Sequence, residues 1–298
     1  MFAAIEARAK FACLYAGAVW GFFWIPLRAL EGAGLHSLWI TTVYFLLPFI
    51  CVLPVLGLRW RSILRGGLAL QLTVLASGAA LTLYSASIVF TDVIRALMLF
   101  YLMPIWSILL ARVFLKERIT LIRVVAMGLA ILGMLTLFGL GTGFPVPHNS
   151  GDWMGLAAGI FWACAMVRIR MHDDHAAVDL TAGFFTWGVI LSAAFSLALA
   201  PEHIPSLRQT APVLPLLIGF VLFLVIPGTY ASLWGPKFLN PGVSGLLFMT
   251  EIVVGAISVA LFAGEPFGSR ELIGVILIAG ASLVEPFTSI MRKSSRQI

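Results

Sequence analysis

The chain has 298 residues, 61% of them hydrophobic and 11% charged, with a formal net charge of +6. Soluble domains run at roughly 45–50% and 25%. A soluble fold of this length could not hide so much apolar surface, so lipid must act as solvent for much of it. The basic excess does not indicate nucleic acid, because Lys and Arg sit in short loops rather than in a stripe interleaved with aromatics. Cys13, Cys51 and Cys164 all fall in apolar segments, where they read as small packing residues rather than a disulfide framework.

Apolar runs long enough to span a bilayer occur near 11–29, 37–57, 67–89, 93–114, 121–138, 153–171, 180–199, 213–234, 241–262 and 271–287. The first has the look of a signal peptide but is full length and lacks a clear small-residue cleavage site, so it is read as a helix. The fold class expected is an all-α membrane protein of ten transmembrane helices. With the N-terminus placed in the cytoplasm, 15 Lys and Arg residues fall on the inner side (Arg59, Arg61, Arg112 and Lys237 among them). Only four, Arg28, Arg95, Arg208 and Arg270, fall outside. That asymmetry predicts an inner-membrane protein with both termini cytoplasmic.

The longest polar break, residues 139–152, is rich in Gly and Pro and free of Lys and Arg. It divides the chain into a first five-helix repeat over 1–140, an external linker over 141–151 and a second repeat over 152–298. GAVWGFFWIPLR from Gly17 aligns with GIFWACAMVRIR from Gly159, placing Trp20 on Trp162 and Arg28 on Arg170. FYLMPIWSILLARVFLKERIT from Phe100 aligns with FMTEIVVGAISVALFAGEPFG from Phe248, placing Glu117 on Glu265. Two matches in the same order read as an internal repeat. An odd number of helices per half makes that repeat inverted, as in secondary transporters that alternate access around a midplane site.

Ten helices in two such halves resemble the drug/metabolite transporter superfamily (EamA type). Pro104 to Glu117 carries the pattern in the first half, and Glu265 followed by Gly274 in the second. Ile252, opposite Pro104, departs from it and predicts that the two halves are unequally kinked there. The first helix and the aromatic interior most resemble the bacterial aromatic amino-acid exporters of the YddG type. The resemblance implies export of aromatic amino acids or similar amphipathic metabolites. An exporter of aromatic cations is the alternative within transport, and a membrane scaffold or an intramembrane enzyme the alternative outside it.

Candidate substrate-binding residues are aromatics away from the water interfaces where Trp and Tyr usually lie: Trp20, Tyr44, Tyr84, Tyr101, Trp162 and Trp187. Their polar tips need partners that a wet cavity or a neighbouring helix would supply, so helix packing stands beside substrate binding for each. Glu251, halfway along its run, joins them. Burial disfavours its charged form, so it could bind a proton or an amino group. The structural alternative is a protonated Glu hydrogen-bonded to a neighbouring helix.

Gly17 and Gly21, like Gly155 and Gly159, are spaced for close helix contact. Pro26, Pro48, Pro54, Pro104 and Pro227 are expected to interrupt their helices, leaving the fifth and tenth as straight supports. Asp92 and Asn240 read as N-caps, and Arg95 as an interface anchor or a contact for a substrate carboxylate. HDDH at 172–175 sits in a short turn and is not expected to hold a metal. Gly139, Gly141 and Gly143 lack the strand and the Lys-Ser/Thr of a phosphate loop. No cofactor, metal or catalytic set is therefore expected. The partners expected are a small-molecule substrate and membrane lipid, with no nucleic acid, and the chain can act as a monomer.

Overall fold

The structure is a computed structural model that describes residues 2–138, 146–264 and 267–294. Nine helical stretches among these residues are long and apolar enough to cross a membrane. They are α1 (Ala4–Gly32), α2 (Ser37–Arg65), α3 (Gly67–Phe90), α4 (Val93–Phe114), α5 (Leu121–Phe138), α6 (Ser150–Met171), α7 (Ala177–Leu199), α8 (Leu214–Lys237) and α9 (Pro241–Ala263). A further helix, α10 (Ser269–Ser294), occupies the place of the tenth run. Much of the 141–151 linker lies outside the described residues, as does Glu265.

With no water at membrane depth, backbone groups must be satisfied within each segment, and helices do this. Apolar side chains such as Leu58, Phe223 and Leu261 cover the outer surface, which suits lipid and not water. The packing is reciprocal. α1 lies on α8 and α9 while α6 lies on α3 and α4; α2 pairs with α7, α4 with α9 and α5 with α10.

Small residues set the closest crossings. A Cβ on Gly21 would stand 2.8 Å from the Glu251 carbonyl oxygen and the Gly255 nitrogen. One on Gly159 would stand 2.7 Å from the Phe100 carbonyl oxygen. The glycine pairs of α1 and α6 are thus helix contacts, as their spacing suggests.

Three spans are interrupted near their middles. α1 divides into Phe2–Trp20 and Trp24–Gly32, α4 into Val93–Phe100 and Met103–Phe114, and α9 into Pro241–Phe248 and Thr250–Ala263. Pro26 and Pro104 sit in the first turns that follow two of these breaks. The break in α9 has no proline, so the unequal kinking expected from Ile252 is corrected: α4 and α9 break at matching places. The close approach of Gly17 and Gly21 to the α9 backbone at 248–255 accompanies that break. Pro48 and Pro54 lie inside an unbroken α2. In α8, a π-helical turn at Val221–Val225 precedes Pro227. Helices α5 and α10 run without interruption.

Candidate substrate site at the helix breaks

The interrupted helices bring their broken segments to one place. Phe100 and Phe248 end the first segments of α4 and α9, while Met103 opens the second segment of α4 and Glu251 lies in the first turn of that of α9. All four line one cavity, together with Trp20, Phe23, Leu81, Tyr84, Trp162 and Ser232. Six aromatic rings and one carboxylate face the space, and no Lys, Arg or His is among these lining residues.

Each indole reaches its position for a local reason. Trp20 closes the first segment of α1, and its Nε1–H donates to the Ser232 hydroxyl on α8 at 3.0 Å. Ser232 in turn donates to the Gly228 carbonyl at 2.9 Å, so the indole binds an oxygen already fixed to its own helix. Trp162 stands in α6 beside the Gly159 crossing and meets Phe248 edge-to-face, ring centroids 6.2 Å apart. Glu251 lies in the first turn after the α9 break, where the N-terminal end of a helix favours a negative group. Tyr101, Tyr44 and Tyr84 are its phenolic neighbours.

Of the seven candidates, Trp20, Tyr84, Trp162 and Glu251 line the cavity. Tyr44 lies one layer back, edge-on to Phe23 at 4.8 Å, and Tyr101 stands edge-on to Phe100 at 5.3 Å. Trp187 is placed elsewhere: its Nε1–H donates to the Gln71 side-chain oxygen at 2.9 Å, joining α7 to α3. That bond gives its polar tip a partner on a neighbouring helix, so no cavity is needed to satisfy it.

Six lining residues were not anticipated. Phe100 and Phe248 were visible as repeat mates, but nothing distinguished them among 22 phenylalanines. Phe23, Leu81, Met103 and Ser232 carry no signal in isolation.

The remaining polar groups act at the ends of the bundle. Arg95 is an anchor for Asp152 and does not line the cavity: its Nη2 and Nε donate to that carboxylate at 2.6 and 3.2 Å. Asp152 also accepts from the Thr91 hydroxyl at 2.7 Å and the His148 N–H at 2.9 Å, and is fully buried. At the opposite end Asp179 accepts from Arg59, and from the Ser62 hydroxyl at 2.6 Å. Asn240 caps α9, accepting from the Gly242 N–H at 2.9 Å. Asp92 makes no side-chain cap bond, so that expectation is corrected; Thr91 and Arg95 on either side of it bind Asp152 instead.

The family model for the EamA-like transporter family matches residues 8–139 and again residues 149–284. The Chloramphenicol-sensitive protein RarD of Pseudomonas aeruginosa is 27% identical over 206 residues, which is 66% of this chain. The chain spans 64% of the length of that curated relative. A solved crystal structure is similar with a TM-score of 0.76 at 18% identity, covering 95% of this chain and 97% of that one, a likeness of fold. With the family model matched along most of its length, the chain belongs to the EamA-like transporter family and is a multi-pass membrane protein.

Proposed function

We propose that the chain is a secondary transporter that exports amphipathic aromatic molecules bearing an amino group, aromatic amino acids among them. It does so by alternating access across the inner membrane, with both termini cytoplasmic. The observation that carries this reading is Glu251, a single carboxylate set among aromatic rings where three helices break. Rings around a flat ligand add about 0.5–1.5 kcal/mol per pair beyond area burial. The carboxylate supplies the matching charge for an ammonium group. Ten spans in two inverted repeats are the architecture this mechanism uses. The reciprocal helix packing and the two separate family matches support that arrangement.

The lining offers a zwitterion no basic side chain for its carboxylate. That observation favours a second reading, export of aromatic amines and cations, in which Glu251 is the only charge required. A relative named for chloramphenicol sensitivity makes that antibiotic a useful uncharged aromatic probe. Reconstituted liposomes should therefore be assayed for flux of tryptophan, tryptamine and indole propionate. Flux of the first two with none of the third supports an amine-directed site. Tryptamine alone supports the second reading, and transport of indole propionate at an equal rate would defeat both. Topology has its own test: a cysteine at Asn149 should react with a membrane-impermeant thiol reagent in intact cells.

A further inference from the structure

The turn between α6 and α7 is absent from the transport reading above, and it contains the HDDH segment at 172–175. Folding places one ligand-type atom each from His172, Asp174 and His175 within 4.8 Å of one another. We propose that these three side chains form a binding site for a divalent transition-metal ion of the zinc class.

Several observations fit that chemistry. Two imidazoles and a carboxylate are a ligand set that zinc takes in tetrahedral sites, leaving a fourth position for water. His172 ends α6 and its backbone N–H donates to the Arg168 carbonyl at 2.9 Å, while the two imidazole rings stack with centroids 5.7 Å apart. Among the described residues the Nε2 atom of His175 is buried without a hydrogen-bond partner, a costly state for a ring nitrogen.

The backbone of the turn is held in place: the Lys237 ammonium donates to the His175 carbonyl at 2.6 Å and Arg170 donates to the Lys237 carbonyl at 2.7 Å. Tetrahedral zinc places its ligand atoms about 3.4 Å apart. Closing from 4.8 Å to that spacing would draw on the exposed Asp174 and the half-buried histidines.

The surrounding charges decide the class of ion. Asp173 pairs with Arg170 at 3.7 Å, and Asp174 lies within electrostatic reach of Lys237. Asp179, on the first turn of α7, lies within reach of His175. The cations offset part of the acidic charge, which disfavours calcium or magnesium, and these ions also prefer all-oxygen ligands. Imidazole nitrogen favours zinc, nickel or copper.

Isothermal titration of zinc chloride into the purified full-length chain, carrying a tag free of histidine, tests the proposal. One ion should bind per chain, and magnesium should not displace it. His172→Ala and His175→Ala should each weaken binding at least tenfold, and Asp174→Asn several-fold. Asp174 is exposed, so its variant remains informative if either alanine variant fails to fold. Binding should be unchanged in the His36→Ala/His203→Ala control, which removes the other histidine pair whose rings meet at 4.5 Å. No binding by the wild-type chain would overturn the proposal, as would equal binding by wild type and His172→Ala/His175→Ala.

Discussion

The ends of the helical bundle and its centre treat carboxylates differently. At one end Asp152 accepts from Arg95, Thr91 and the His148 backbone; at the other, Asp179 accepts from Arg59 and Ser62. Both acids sit in the first turn of a second-half helix, and both guanidinium partners lie in the first half. Among the described residues Glu251 has no guanidinium or ammonium partner in its cavity and is surrounded by rings and hydroxyls. A paired carboxylate fixes helices to each other. A carboxylate kept at membrane depth with no cation beside it is costly unless something mobile, a proton or a substrate, completes it. The ends therefore read as structure, and the proposed function turns on the centre.

The largest expected effect that could break this contrast is at Asp152. Arg95→Ala leaves a fully buried carboxylate without its cation, which costs about 3 kcal/mol or more. The detergent-solubilised variant should melt well below wild type. Unchanged melting would mean that the pair is not a structural clasp.

Next comes the α1–α9 crossing. Gly21→Ala puts a methyl 2.7–2.8 Å from Val254, the Glu251 carbonyl and Gly255. Overpacking of this kind costs about 1–3 kcal/mol. Because the clash falls on the Glu251 backbone, flux should drop more than stability does. Equal losses in both would count against a link between the crossing and the site.

Arg59→Ala should destabilise less than Arg95→Ala, because the Arg59 side chain is 39% exposed and that of Arg95 only 20%. The reverse order of melting temperatures would contradict this ranking. The smallest effect is expected at Trp20→Phe, which keeps a ring and removes the bond to Ser232, worth about 0.5–1.5 kcal/mol. Flux should fall a few-fold with melting nearly unchanged, whereas wild-type flux would make that indole a packing residue.

Much of the fold was legible because lipid imposes a single strong rule. Nine of the ten apolar runs correspond to candidate spans among the described residues, and the glycine pairs mark true close crossings. The cavity lining was legible where chemistry was rare: Glu251 stood out as the one acid at mid-span, and Trp20 and Trp162 as repeat mates. Trp187 was misleading because an indole hydrogen-bonded to Gln71 is indistinguishable in sequence from one facing a cavity. The break in α9 left no proline to announce it. Asp152 and Asp179 passed as ordinary first-turn acids, since sequence does not reveal that a helix start is buried against another helix. Phe100 and Phe248 gained meaning only when the broken ends of α4 and α9 were seen to meet.

Glu251→Gln tests the central claim most directly. The substitution keeps the shape and removes both the titration and the negative charge. Flux of an amine-bearing aromatic substrate should be measured in liposomes across a range of pH, beside a melting curve for the same protein. The account predicts that flux falls sharply and loses its dependence on pH while melting stays close to wild type. Wild-type rates across the whole pH range would contradict it and leave Glu251 as a structural hydrogen-bonder.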